Sequence, residues 1–368
     1  MLNVNSNKPR LQSLEGLRAY AAFIVYFLHL TGSFFYFRMG LDFDKISVLE
    51  LSNTQPEFIP FYWIWSSHYG VDIFFLISGF LIAKLVNKEN FEFGKFIYHR
   101  VLRIYPVLVL STIAYITYGI IAKDEQFWFG GLVGNLLLLN GIPGLGFPHI
   151  NQVTWSIFFE FSFYIIFPVI WKLSSKRFNI FLLIFFLIIF PLLFISSTYM
   201  RYLMFSAGVL LSVSSQKKLS LIRGNLKDSH VVFLYILSTT MFMFIKNFAL
   251  FIPVYFFTSF LFVDKVLNSG GNLTKLFSNN VLRYFGNISF SFYLFHPLGL
   301  SFAKDLLLIL NIKNDYAYFI YYLAISFTLT SLISATCFVF IEKSYFNQKQ
   351  FFDSIYEHVA EFFAKKMR

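Results

Sequence analysis

The chain has 368 residues, 57% hydrophobic, 22% aromatic and 13% charged, with a formal net charge of +11 and a mean hydropathy of +0.64. Soluble domains carry about 25% charged residues, so the composition excludes a soluble protein and indicates an all-α polytopic membrane protein. The single cysteine, Cys337, lies in an apolar run and excludes a disulfide framework or a cysteine metal site.

The opening MLNVNSNKPRLQSLEG is polar. The apolar run after it is too long for a signal-peptide core, so the opening reads as a cytoplasmic tail leading into a signal anchor. The first predicted span, 17–36, carries Arg18 and His29 within GLRAYAAFIVYFLHLTGSFFYF. Ionisable residues inside a span cost about 2.5–3.5 kcal/mol each on insertion scales and usually mark a site or pathway. Eleven residues make three helical turns plus roughly 20°, so both side chains project from one face, about 16 Å apart along the axis. A fixed cation near one surface and a titratable imidazole near mid-depth suit chemistry on a long anionic ligand entering from one side.

The second span, 70–87, reads GVDIFFLISGFLI. Asp72 lies at its outer end. Ser78-Gly79 interrupts it midway, where such a pair loosens a helix or admits another backbone; plain helix packing is the alternative. FIYHRVLRIYP follows, with Arg100 and Arg103 on one helix face at the predicted cytoplasmic surface. Paired guanidiniums suit phosphate groups, although anchoring of the topology explains most such arginines. The third span is 104–122. Segment 127–142, with Gly130, Gly131 and Gly134, precedes GIPGLGFPHIN and reads as a re-entrant or surface piece.

The fourth span, 153–171, reads VTWSIFFEFSFYIIFP. Glu160 lies eight residues from its outer end, about 12 Å deep at helical rise, a depth comparable to that of His29. An unpaired membrane carboxylate is expensive, so Glu160 is expected to face the bundle interior and find a partner there. Spans 178–196, 201–215, 231–246 and 248–264 carry no candidate. The ninth, 285–303, contains ISFSFYLFHP, with His296 before Pro297. A proline inside a span frees a backbone carbonyl that a neighbouring side chain can satisfy. His296 either does only that or takes part in function. The tenth span is 317–341. His68, His99, His149, His230 and His358 fall in loops, span edges or the tail, and no combination has zinc-ligand spacing. The closing FFDSIYEHVAEFFAKKMR places Phe351, Phe352, Ile355, Val359, Phe362 and Phe363 at helical spacing before Lys365, Lys366 and Arg368. It resembles an interfacial amphipathic helix on the inner leaflet. The expected division is a membrane domain over 10–346 and a cytoplasmic amphipathic tail over 347–368.

Ten spans put both termini on one side. In that layout 22 of the 30 lysines and arginines fall in the N-terminal tail, in segments 84–103, 172–177, 217–227 and 265–283, and in 343–368. Seven fall on the other side, among them Arg201, and Arg18 is intramembrane. This asymmetry makes both termini cytoplasmic. It also accounts for the basic balance without a nucleic-acid partner.

LEGLRAYAAFIVYFLH resembles the opening signature of the membrane acyltransferase family 3: an arginine, ten residues, then a histidine. GVDIFFLISGF, RVLR, TWSIFFEFSFYIIFP and SFSFYLFHP resemble further signatures of that family, in the same order. The resemblance covers roughly residues 10–346. It implies an O-acyltransferase, in most cases an O-acetyltransferase, of the bacterial inner membrane. Such an enzyme moves an acyl group from cytoplasmic acyl-coenzyme A to a hydroxyl of a surface carbohydrate, such as lipopolysaccharide, or of a lipid-linked one. It further implies that His29 is catalytic, that Arg18 assists it or binds the donor, and that Arg100 and Arg103 bind the donor. Asp72, Ser78, Trp155 and His296 are the supporting or substrate-binding candidates, and no metal is called for. Glu160 is expected to orient His29. Phe161 follows it where relatives often carry a second acidic residue, so Glu160 works alone or with Asp72. Some members add an extracytoplasmic SGNH-type domain; this chain is expected to finish transfer within its bundle, as an oligomer, or on a separate partner protein. The alternative is a proton-coupled exporter or flippase of a glycan or its lipid-linked precursor, with His29 and Glu160 as a relay. That reading has no use for a phosphate clamp. A non-catalytic partner of a glycan synthase would tolerate alanine at all these positions.

Overall fold

The computed structural model describes residues 9–214, 216–245 and 247–366. Lys8, Arg368 and the side chains of Arg10, Phe362, Phe363, Lys365 and Lys366 lie outside the described parts. Among the described residues there are helices and turns and no strand.

Twelve helices carry the description: α1 (Pro9–Met39), α2 (Gly70–Val86), α3 (Phe93–Lys123), α4 (Phe129–Leu136), α5 (Trp155–Leu173), α6 (Phe178–Leu192), α7 (Tyr202–Val213), α8 (Asp228–Met241), α9 (Phe248–Asn268), α10 (Ser289–Ile309), α11 (Asp315–Cys337) and α12 (Lys349–Lys366). Shorter helical turns connect them.

All ten segments expected to span are helical. Seven helices among the described residues are long and apolar enough to cross a membrane: Gln12–Met39, Pro56–Val86, Phe93–Lys123, Gln152–Leu173, Ala249–Asn268, Ser289–Ile309 and Asp315–Tyr345. The protein is thus an all-α polytopic membrane protein. The other three are α6 with 15 residues, α7 with 12 and α8 with 14. At 1.5 Å per residue they reach roughly 18–23 Å, less than a hydrocarbon core of about 30 Å. The apolar run from 178 to 215 looks continuous in sequence. In the fold, Ser196 caps a short 3-10 turn, its side chain accepting from the Thr198 amide, and this turn separates α6 from α7. The glycine-containing stretch 127–142 forms the short α4 and a 3-10 turn, Leu139–Gly141.

Gly79 explains how α7 reaches the centre. A Cβ on Gly79 would lie 2.0 Å from the Phe205 carbonyl oxygen, and one on Gly208 would lie 2.0 Å from that of Leu76. Both positions must be glycine for α2 and α7 to cross at backbone contact, the close approach that small residues permit between membrane helices. The Ser78-Gly79 interruption thus admits another backbone. Phe205 then stacks between Phe75 of α2, 4.5 Å away, and Phe163 of α5, 4.3 Å away. The rings lock three helices together around the residues that matter next.

Behind this core Asp72 and Arg201 form an ion pair, Nη1 to Oδ2 at 2.9 Å, with side chains 0% and 3% exposed. Arg201 also donates to the His68 carbonyl oxygen at 3.2 Å, and its guanidinium lies 5.3 Å from the Trp155 ring centroid. Asp72 and Arg201 are therefore a buried pair, with the partly buried Trp155 ring beside it. Arg201 is a core residue and not a surface basic residue.

Candidate active site

Two cavities lie at different heights along α1. The first has an empty volume of about 780 Å³ and is lined by Arg18, Ser78, Arg100, Arg103, Glu160 and Tyr164, with Ser156 and Tyr293 at its wall. It is called the arginine cavity below. The second has an empty volume of about 2090 Å³ and is lined by His29, with Trp65, Trp128, Lys123, Glu125 and Lys304 around it. It is called the histidine cavity. Arg18 and His29 thus share one helix and line two chambers.

The arginine cavity gathers three expected cations around one expected carboxylate. Glu160 accepts from Ser78 Oγ at 2.6 Å and from the Tyr164 hydroxyl. Tyr164 is four residues on from Glu160 and therefore on the same face of α5. The Arg100 guanidinium lies over the rings of Phe96 and Tyr164, 5.2 and 5.1 Å from their centroids. Its Nε is buried without a hydrogen-bond partner. Arg18 lies within electrostatic reach of Arg103, Glu160 and Glu342. Two carboxylates for three guanidiniums leave an excess positive charge, in an apolar bundle where charges are weakly screened. Such a site attracts an anion, and guanidinium forks match phosphate oxygens.

Glu160 is not the partner of His29. It sits in the arginine cavity with Arg18, Arg100 and Arg103, hydrogen-bonded by Ser78 and Tyr164, whereas His29 lines the other chamber. Comparable depth along two helices does not fix which way a side chain faces, and a carboxylate in low dielectric is drawn to guanidinium groups more strongly than to a neutral imidazole.

His29 is partnered by His296. The His29 Nδ1 lies 2.9 Å from the Val25 carbonyl oxygen and 3.1 Å from His296 Nε2. His296 Nδ1 lies 2.7 Å from the Tyr293 carbonyl oxygen. Pro297 has no N–H for the carbonyl four residues back, which is that of Tyr293. His296 supplies the missing donor. Its Nδ1 therefore carries the proton, and its Nε2 can only accept. The His29 proton then also belongs on Nδ1, shared between the Val25 oxygen and His296. These tautomers are assigned from the hydrogen-bond network. His29 Nε2 has no hydrogen-bond partner among the described residues and keeps its lone pair. His296 is fully buried, so the satisfied-carbonyl role and the partner role are both filled, by different nitrogens of one ring.

Three participants were not expected. Tyr293 lines the arginine cavity with its side chain while its carbonyl holds His296, and its hydroxyl donates to the Val153 oxygen at 2.9 Å. Its only signal in sequence is its place one turn before Pro297. Tyr164 was hidden among aromatics, though its i+4 spacing from Glu160 was visible. Glu342, at the end of the last apolar run, is buried and accepts from Ser291 Oγ at 2.6 Å. It lies on a single π turn, Phe338–Glu342, a departure that recurs at functional positions.

Comparison with known proteins follows the same lines. The sequence model of the acyltransferase 3 family, described as an acyltransferase domain, matches residues 11–341. An acyltransferase of Streptomyces mycarofaciens, MdmB, is 30% identical over 177 residues, which is 45% of this chain and 41% of the relative. An uncharacterized protein of Haemophilus influenzae is 33% identical over 132 residues, 30% of this chain and 51% of the relative. These alignments span about half the length of the relatives or less. No solved structure gives a significant match. The chain belongs to the acyltransferase 3 family.

Proposed function

We propose that this membrane acyltransferase moves an acyl group, most simply acetyl, from cytoplasmic acyl-coenzyme A to a hydroxyl of a cell-surface or lipid-linked carbohydrate. The observation that carries the reading is the division of α1 between two chambers: Arg18 lines the arginine cavity and His29 the histidine cavity. In this reading the arginine cavity opens to the cytoplasmic side, where the basic segments are expected, and the membrane is the bacterial inner membrane.

Arg18, Arg100 and Arg103 hold the donor's phosphates, which carry about four negative charges, by charge-assisted bonds. The thioester is directed toward the histidine pair. The acceptor hydroxyl enters the histidine cavity. His29 Nε2 takes its proton as the oxygen bonds to the thioester carbonyl carbon. The carbon–sulfur bond breaks, and the departing thiolate recovers the proton from His29. As the imidazolium forms, its Nδ1–H bond to His296 strengthens, so His296 orients the base as a carboxylate does in a hydrolase triad. The variant in which His29 attacks the thioester and carries the acyl group uses the same atoms.

Mass spectrometry of surface glycans from cells with and without the gene tests the reading. Loss of an acyl mass from a glycan, restored by the wild-type gene but not by His29→Ala, is the expected outcome. Unchanged glycan acylation sinks it.

A further inference from the structure

A third cavity, with an empty volume of about 670 Å³, lies beside the arginine cavity and shares one residue with it, Arg103. Its walls are Leu102 and Pro106 of α3, Phe340 and Glu342 of the π turn, Tyr345 beyond it, and Phe352 of α12. The Tyr345 and Phe352 rings are neighbours, with centroids 5.8 Å apart. A chain of hydrogen bonds fixes this wall. The Tyr345 hydroxyl lies 2.9 Å from His99 Nδ1, and His99 Nε2 lies 2.7 Å from Asp353 Oδ1. Lys95 completes it, 3.4 Å from Asp353 and 3.0 Å from Glu357. The tail helix is thereby held against the start of α3, and Phe352 is placed as part of a built cavity.

We infer that this side cavity receives the nucleoside end of the acyl-coenzyme A donor, with Arg103 binding a phosphate at the junction between the two chambers. This rests on the donor reading above. The fit is one of shape and charge. The donor has a flat nucleoside at one end, phosphates next to it, and a thin thioester arm beyond. The protein offers an aromatic-walled cavity, the arginine cavity beside it, and a guanidinium common to both. Glu342 faces the same junction, but its oxygen is occupied by Ser291 and its charge lies within reach of Arg18 and Arg103. Aromatic side chains give bases a stacking surface whatever their identity. The tail helix is then part of the donor site and not only a membrane-surface anchor.

Steady-state kinetics with two donors test this, using the full chain in nanodiscs of neutral lipid. The donors are acyl-coenzyme A and the corresponding S-acyl-pantetheine, which lacks the nucleotide. Phe352→Ala is expected to raise KM for acyl-coenzyme A by about tenfold, the scale of one lost stacking contact, and to leave KM for the pantetheine thioester and both kcat values unchanged. Phe352→Trp, which keeps a ring, is expected to behave as wild type. Equal losses with both donors, or no loss with either, overturn the inference. So does a KM that follows added anionic lipid and not the nucleotide, which makes the cavity a headgroup site. If wild type uses neither thioester, the donor reading itself falls; if wild type uses both and the variant does not separate them, only the inference falls.

Discussion

The Nε2 of His296 lies 3.1 Å from the Nδ1 of His29, and the second nitrogen of His296 is taken up by a backbone carbonyl. In the proposed mechanism an imidazole stands where a carboxylate stands in a hydrolase triad. It is neutral and can strengthen its bond to His29 only as charge appears there.

His29→Ala should abolish acyl transfer while leaving expression and insertion intact. His296→Ala should lower kcat by roughly a hundredfold, within the range attributed to a positioned base, with donor KM unchanged. Equal activity in His296→Ala and wild type would remove the orienting role.

Arg100→Ala and Arg103→Ala should each weaken donor binding by about ten- to a hundredfold, the loss of one charge-assisted bond of about 1.5–3 kcal/mol. Coenzyme A titration of the purified variants measures it. Unchanged affinity in the double variant would return both arginines to topology anchors.

Glu160→Gln removes a negative charge from among three guanidiniums, and removal of one partner from a buried charge set is commonly strongly destabilising. Its thermal midpoint in detergent should fall. Added coenzyme A should recover more of that loss than it gains for wild type, because phosphates replace the missing charge. A recovery no larger than the wild-type shift counts against the shared-charge account.

The Asp72–Arg201 pair should behave as structure. Asp72→Asn or Arg201→Met alone should cost about 3–5 kcal/mol, whereas the combined replacement by apolar residues of similar volume should recover much of it. Chemical unfolding of the three variants distinguishes this from a catalytic role, in which recovery of stability would not restore turnover.

The contribution of Asp353 to docking of α12 should be constant above about pH 5 and disappear in acid. Burial pushes the Asp353 carboxyl up, but the hydrogen bond from His99 and the charge of Lys95 outweigh it and leave it below its ordinary value. A carboxyl depressed in the docked state contributes stability above its free pKa of about 3.9, and that contribution disappears as pH falls through the lower docked value. Hydrogen exchange of α12, corrected for intrinsic pH dependence, should therefore stay slow from pH 8 to 5 and rise below about 4. Asp353→Asn should exchange faster than wild type from pH 8 to 5 and lose the acid rise. Release of the tail between pH 5 and 7 would point to a different group.

The sequence made the helical segments legible because apolar runs and basic loops are local properties. It also made Arg18, Arg100 and Arg103 candidates for a common site, and the fold brings them together. Facing was not legible. Glu160 and His29 have similar depths but open onto different chambers, which depends on how α5 packs on α2 and α7 through Phe205. Glu342 was invisible because a carboxylate at the end of an apolar run looks like the start of a loop. In the fold it lies on the π turn and is buried. The depth of α7 was hidden too, since a 12-residue buried helix and a short span have the same composition.

Pro297, inside α10, has a chemical effect on the histidine pair. A main chain without that one N–H forces the neighbouring ring to keep its hydrogen on Nδ1, which in turn forces the hydrogen of His29 onto the nitrogen facing away from the chamber. Any other residue at 297 would offer its own amide to the Tyr293 oxygen and free the His296 ring to exchange tautomers. The free lone pair on one helix is thus set by an imino acid on another, and proton placement is inherited from backbone chemistry rather than from any acidic group.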